Sequence, residues 1–220
     1  DITDKQKIFF QNQKLINFTK IWFYHDYISK SFPKADDVYL KNIEEKYDLN
    51  LSLLISAERF FTQSNLFYDF TQEEKLSIVE QTCKFFESML DEIRPDFVIM
   101  GITTLLHNHI FFKICKNLGI KILMIRPSFL AGKYIISNSI DSFENNVYEK
   151  KFNFHNNHEL TNYLKNYNST EQSKFVRDNF QSSIILYFKA ILHYIFSKNS
   201  NPDTHFTYFG RTKIKVIQKM

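Results

Sequence analysis

Apolar residues change their period along this chain, and the changes mark its elements. The clearest helical period lies between Phe70 and Ile93, where Leu76, Val79, Cys83, Phe86 and Leu90 recur every three or four positions. Thr71 and Glu74 precede that face with the spacing of a capping box, in which a hydroxyl and a carboxylate satisfy backbone N–H groups reciprocally. Arg94-Pro95 ends the helix. Asp96 to Met100 is then a short apolar run with β-branched Val98 and Ile99, bounded by Pro95 and Gly101, which predicts a strand buried on both faces. A helix follows, with Thr103 or Thr104 as its cap and Gly119 just past its end. Ile120 to Ile125 is a second strand, stopped by Arg126 and Pro127. Strand, helix and strand in this order predict a right-handed parallel crossover, the unit of open α/β sheets.

Outside this unit the pattern is less sharp. Ile21 to Tyr24 is β-prone, Ala35 to Asp48 is helical on Val38, Leu40, Ile43 and Tyr47, and Asn50 to Phe61 fits helix and strand equally. Tyr134 to Ile136 predicts a short strand, Asp141 to Asn157 a polar loop, and His158 to Tyr167 a short helix. Thr170 to Ser197 predicts a long helix whose apolar run, Ile184 to Phe196, falls short of the roughly 20 residues a membrane span needs. The expected fold class is α/β: a Rossmann-like parallel sheet flanked by helices, with a C-terminal helical extension. Its expected divisions are a Rossmann-like domain over 1–150, a helical extension over 151–198 and a connector over 199–220.

Composition narrows the classes. A hydrophobic fraction of 44% with 24% charged residues excludes wholesale disorder. The net charge of +4 is scattered and forms no basic stripe, so nucleic acid is not an expected partner. Cys83 and Cys115 fall at apolar helical positions and read as buried free thiols of a reducing compartment. The start, DITDKQKIFF, lacks the charged-then-apolar order of a secretory signal, and with no initiator methionine the chain is expected to be a piece of something longer.

In open α/β sheets ligands sit at the carboxyl ends of the strands, which here are Gly101 to Thr104 and Arg126 to Ser128. The backbone N–H groups after Gly101 and the hydroxyls of Thr103 and Thr104 suit a phosphate or carboxylate; a plain turn with a threonine cap is the competing reading. His107, near the helix start, is a candidate general base, or simply a packed histidine. Arg126 and Ser128 end the second strand, where a guanidinium suits a phosphate or sugar carboxylate unless a local acid takes it. Arg59 is a further candidate, with Glu58 beside it as a competing surface partner. No HExxH, zinc-spaced cysteine pair, G-x-S-x-G or Walker A loop occurs, so no metal is expected.

AERFF at Ala57 to Phe61, IRPDFVIMG at Ile93 to Gly101 and LGIKILMIRPSFLAGKYIISNS at Leu118 to Ser139 together resemble the N-terminal half of bacterial capsular or surface polysaccharide biosynthesis proteins, glycosyltransferases of the GT-B type. PDTHFTYFGRTKIKVI at Pro202 to Ile217 is similar to the connector before the second domain of such proteins. The resemblance implies a domain that cradles a glycan or lipid-linked acceptor. It also implies a nucleotide-sugar donor bound in a further C-terminal domain, no cofactor in this chain, and no transfer by this chain alone. The implied place is the cytoplasm, with peripheral contact at the inner membrane surface. Under this reading His107 assists the acceptor hydroxyl, Arg126 binds an anionic group, and Gly101, Thr103, Thr104 and Ser128 line the cleft. The competing functions are a sugar-nucleotide epimerase and a non-catalytic binding or assembly module.

Overall fold

The structure, a computed structural model, describes residues 4–29, 31–62, 68–127, 134–138, 158, 161, 162, 165 and 184–196. Among them the chain is mixed α/β, with seven α-helices, one 3-10 helix and a three-stranded open sheet. The contacts divide it into two compact units. A helical unit holds α1 (Lys5–Asn12), the 3-10 helix Tyr24–Tyr27, α2 (Asp37–Tyr47), α3 (Leu51–Ala57), α4 (Arg59–Thr62), α5 (Gln72–Ile93) and α6 (Leu106–Asn117). A sheet unit holds β1 (Phe97–Gly101), β2 (Lys121–Pro127) and β3 (Tyr134–Ser137). A further helix, α7, covers Ile184–Phe196, and residues 158, 161, 162 and 165 are helical. Ser128, the 141–157 loop, residues 170–183 of the long helix and the connector over 199–220 lie outside the described residues.

The helical unit is organised on α5. Its capping box forms as the spacing predicts, with Glu74 N–H donating to Thr71 Oγ1 at 3.2 Å and Thr71 N–H donating to Glu74 Oε2 at 2.8 Å. Val79, Cys83, Phe86 and Leu90 are buried, and α5 packs on α2, α6 and the 3-10 helix. Two acids on the same helix also point inward. Glu80 accepts from the backbone N–H of Asp36 at 2.6 Å, and Glu87 accepts from Tyr39 Oη, Lys46 Nζ and Tyr47 Oη at 2.8, 2.8 and 2.6 Å. Asp36 in turn caps α2 by accepting from Val38 and Tyr39 N–H. The two carboxylates thus grip α2 at its start and near its end.

Both cysteines are free and buried, as expected, and burial pushes both thiols up to about 12. Asn50 to Phe61, ambiguous in the pattern, is two helices. Asn50 Oδ1 caps the first by accepting from Leu53 N–H at 2.8 Å, and extended backbone at Glu58 separates it from the second.

Three expectations are corrected. Ile21 to Tyr24 is not a strand: Ile21–Phe23 is irregular and Tyr24 opens the 3-10 helix, because its ring turns into the helical core instead of lying along a sheet. Thr103 and Thr104 do not cap α6, whose N-cap is Leu105 with no side-chain cap hydrogen bond. β1 is not buried on both faces: Phe97, Ile99 and Gly101 are exposed while Val98 and Met100 are half-buried, as the two-residue alternation of a half-covered edge strand requires.

Within the sheet unit β1 and β2 pair in parallel, Phe97 opposite Lys121 through Gly101 opposite Ile125. The short strand expected at Tyr134 forms and pairs antiparallel to β2, with Arg126 opposite Ile135. Among the described residues no helix is long and apolar enough to cross a membrane.

The glycines behave differently from one another. Gly119 ends α6 in a Schellman motif: it sits at φ 71°, its N–H donates to Lys116 O, and Ile120 N–H donates to Cys115 O. Gly101 has no positive φ, and a Cβ there would meet no atom within 4 Å. Gly119→Ala should therefore cost about 1 kcal/mol, and Gly101→Ala a few tenths at most. Urea midpoints at unchanged m-value measure both.

Candidate functional site

The sequence-predicted residues divide between the two units. Gly101 and Arg126 belong to the sheet unit, where Gly101 lies opposite Ile125, one residue before Arg126. The carboxyl ends of the two parallel strands therefore share one rim. Arg126 is half-buried and shares its strand face with buried Met124 and Ile122. Thr103, Thr104, His107 and Arg59 belong to the helical unit.

Within that unit, Thr104 and Arg59 are exposed, whereas the hydroxyl of half-buried Thr103 is buried with no hydrogen-bond partner among the described residues. Glu58 does not compete for Arg59 on the surface: it is 5% exposed, and no ion pair joins the two. Its carboxylate faces inward instead. Oε1 accepts from Phe60 N–H at 3.1 Å, and Oε2 accepts from Leu106 N–H at 2.6 Å. A residue 48 positions away thereby supplies the cap that Thr103 and Thr104 do not give, with its charge at the positive end of the helix.

That cap fixes the place of His107, the second residue of α6. Its ring stacks on Tyr24 with centroids 4.6 Å apart and planes 19° from parallel. Tyr24 also stacks on Phe86 and touches His25 edge-on. Thr82 Oγ1 donates to Ile78 O at 2.7 Å, so the phenol of Tyr24 is the donor in its 2.8 Å hydrogen bond to Thr82 Oγ1. Burial pushes the Tyr24 phenol well above its ordinary range. Burial also lowers His107 to about 4, and lowers His25 to about 4 with help from the nearby charge of His107. Both imidazoles are therefore neutral near pH 7, and this cluster of Tyr24, His25, Thr82, His107 and Glu58 orders the helical core.

A separate pocket of about 460 Å³ opens among Lys46, Tyr47, Glu87, Leu90, Asp91 and Arg94. None of the described sequence-predicted residues lines it. Its cations are already matched: Lys46 to Glu87 at 2.8 Å, and Arg94 to Asp91 at 3.3 Å. Burial alone would raise the Glu87 carboxyl, but hydrogen bonds from Lys46, Tyr47 and Tyr39 outweigh it and hold the group below the usual carboxylate range. Among the described residues no group of three His, Cys, Asp or Glu side chains is arranged to hold a metal ion.

Sequence reasoning missed Glu58, Tyr24, His25 and Glu87. The available signal was faint: an acid inside ISAERFF and another inside KFFESML, each set among apolar neighbours. No protein-family model, curated protein or solved structure matches the chain.

The two histidines make stability depend on pH in a definite direction. Their folded values of about 4 lie below the ordinary 6.5, so the unfolded chain binds more protons throughout that interval. Stability is complete above about pH 6.5 and is lost as pH falls toward 4, by roughly 2–3 kcal/mol per histidine. Asp26, which favours the charged form of His25, and Lys7, which opposes it, modulate the loss. His107→Phe keeps an aromatic ring against Tyr24 and should remove a substantial part of the pH dependence, read from urea midpoints at pH 7 and pH 5.

Proposed function

We propose that this chain is the acceptor-side, Rossmann-like half of a GT-B-type glycosyltransferase of capsular or surface polysaccharide synthesis, and that its rim at Gly101 and Arg126 binds an anionic saccharide. The observation that carries the reading is the parallel register, which sets the end of β1 beside the end of β2 with Arg126 next in line. An open α/β sheet offers its ligand site on such a rim, and a guanidinium there matches a uronate or phosphate bidentately. The β1 and β2 motifs, IRPDFVIMG and GIKILMIRPS, are those on which the resemblance to polysaccharide-building enzymes stands. Because the donor side of a GT-B pair is a separate domain, binding is what this chain is expected to display alone.

A non-catalytic assembly module is the second reading. The observation favouring it is the uncovered sheet face, where Phe97, Ile99, Tyr134 and Ile136 are all at least half exposed. Titration with a uronate-containing oligosaccharide tests the first reading. Arg126→Ala should weaken binding by about tenfold or more, as loss of a charge-assisted pair does, while Arg94→Ala on the exposed end of α5 should not. Binding that ignores Arg126 removes the rim from the site, and concentration-dependent self-association without saccharide binding favours the module.

A further inference from the structure

A strand with a neighbour on one side only turns half of its backbone N–H and C=O groups outward, and β1 is such a strand. Among the described residues Phe97–Gly101 pairs with β2 alone, and no other backbone hydrogen bond reaches it. Proteins ordinarily blunt an open edge with a charge, a proline, a bulge or a very short strand. None of these devices is present in β1. FVIMG carries no charge and no proline, and its five residues run in unbroken register along β2. The outward row of donors and acceptors is thus complete, and what completes it is another extended strand.

The side chains of β1 specify which strand. Phe97, Ile99 and Gly101 share the exposed face, with Phe97 at 53% and Ile99 at 60% exposure. Above Gly101 there is open space, since a Cβ there would meet no atom within 4 Å. Two copies of β1 running antiparallel about Ile99 pair all five residues and keep both exposed faces on one side. That register sets Phe97 of one copy opposite Gly101 of the other, and the two-fold axis makes the contact twice. Each ring then covers a glycine, as aromatic side chains do across sheet edges. Asp96, just before the strand, meets Ile102 and not another acid. The other described edge strand, β3, is a poorer match: its exposed residues are Tyr134 and Ile136, it has no glycine to receive Phe97, and head-to-tail pairing would leave an edge open at each end.

We propose that β1 is a self-recognition edge through which two copies of this chain pair antiparallel about Ile99, joining their sheets into one of six strands. Pairing uses the side of β1 that faces away from β2, and therefore away from Arg126, so it goes beyond both functional readings and its test involves no sugar. Five residues a side is far below the roughly 20–30 of a tight interface, so the dimer is weak and forms between about 1 µM and 1 mM.

Sedimentation equilibrium of the whole 220-residue chain across that range should show a monomer–dimer equilibrium, and the amides of 97–101 should gain exchange protection as concentration rises. Ile99→Lys and Ile99→Glu each set like charges opposite one another at the axis and should each weaken the dimer by about tenfold or more. Mixing the two variants should restore it, which also shows that both remain folded. Gly101→Ala intrudes on the space Phe97 enters and should weaken pairing a few-fold. Ile136→Lys, on the same exposed face but away from the edge, should leave the dimer unchanged. Four results would overturn the proposal: a wild-type chain monomeric to about 1 mM, a dimer indifferent to Ile99→Lys, lysine and glutamate variants that do not pair when mixed, or a dimer that Ile136→Lys disrupts as strongly, which would mean packing of one sheet face on another.

Discussion

Where α6 begins is decided by one buried carboxylate. A helix start leaves N–H groups without partners, and at Leu105 the sequence provides no side chain to accept from them. Glu58 reaches in from the break between α3 and α4 and accepts from Leu106 N–H while its other oxygen accepts from Phe60 N–H. Burying a carboxylate is costly unless its oxygens are satisfied, and orphan N–H groups are costly unless they find acceptors. Each need answers the other. His107, next along α6, is thereby set against Tyr24, whose phenol binds Thr82 on α5. Four segments far apart in sequence meet through this arrangement.

The same device recurs on α5. Its inward face is apolar at Val79, Cys83, Phe86 and Leu90, yet Glu80 and Glu87 interrupt it and hold α2 through a backbone N–H, two phenols and an ammonium. Hydrophobic burial brings these helices together without fixing their sliding or rotation, because it has no direction. Directed hydrogen bonds to carboxylates supply the missing constraint. The sheet unit is governed differently, by a parallel backbone register that sets Gly101 beside Ile125 and leaves one apolar face open.

What the sequence revealed follows from the range of each interaction. The capping box at Thr71 and Glu74 and the Schellman end at Gly119 are local, so their spacing can be read directly. The strands after Pro95 and Gly119 were legible because short apolar runs between breakers have few alternatives. Glu58, Glu80 and Glu87 were not legible as anchors, since a contact spanning 40 or more positions leaves no periodic trace. Thr103 and Thr104 looked like caps because threonine often is one, but a distant carboxylate already occupied that role. The rim at Gly101 and Arg126 was foreseeable because parallel pairing fixes which strand ends coincide; the exposed face of β1 was not, because an apolar run does not say which of its faces is covered.

If Glu58 sets the start of α6, the Leu106 amide must be protected from solvent exchange although no residue of its own helix accepts from it. Hydrogen exchange at that amide, in the wild-type chain and in Glu58→Ala, is the most direct measurement. The predicted result is clear protection of Leu106 in the wild type, lost by about tenfold or more in the variant and accompanied by loss of the Tyr24 ring-current shift on His107, while the middle of α5 stays protected. Equal protection of Leu106 in the two proteins would contradict the account.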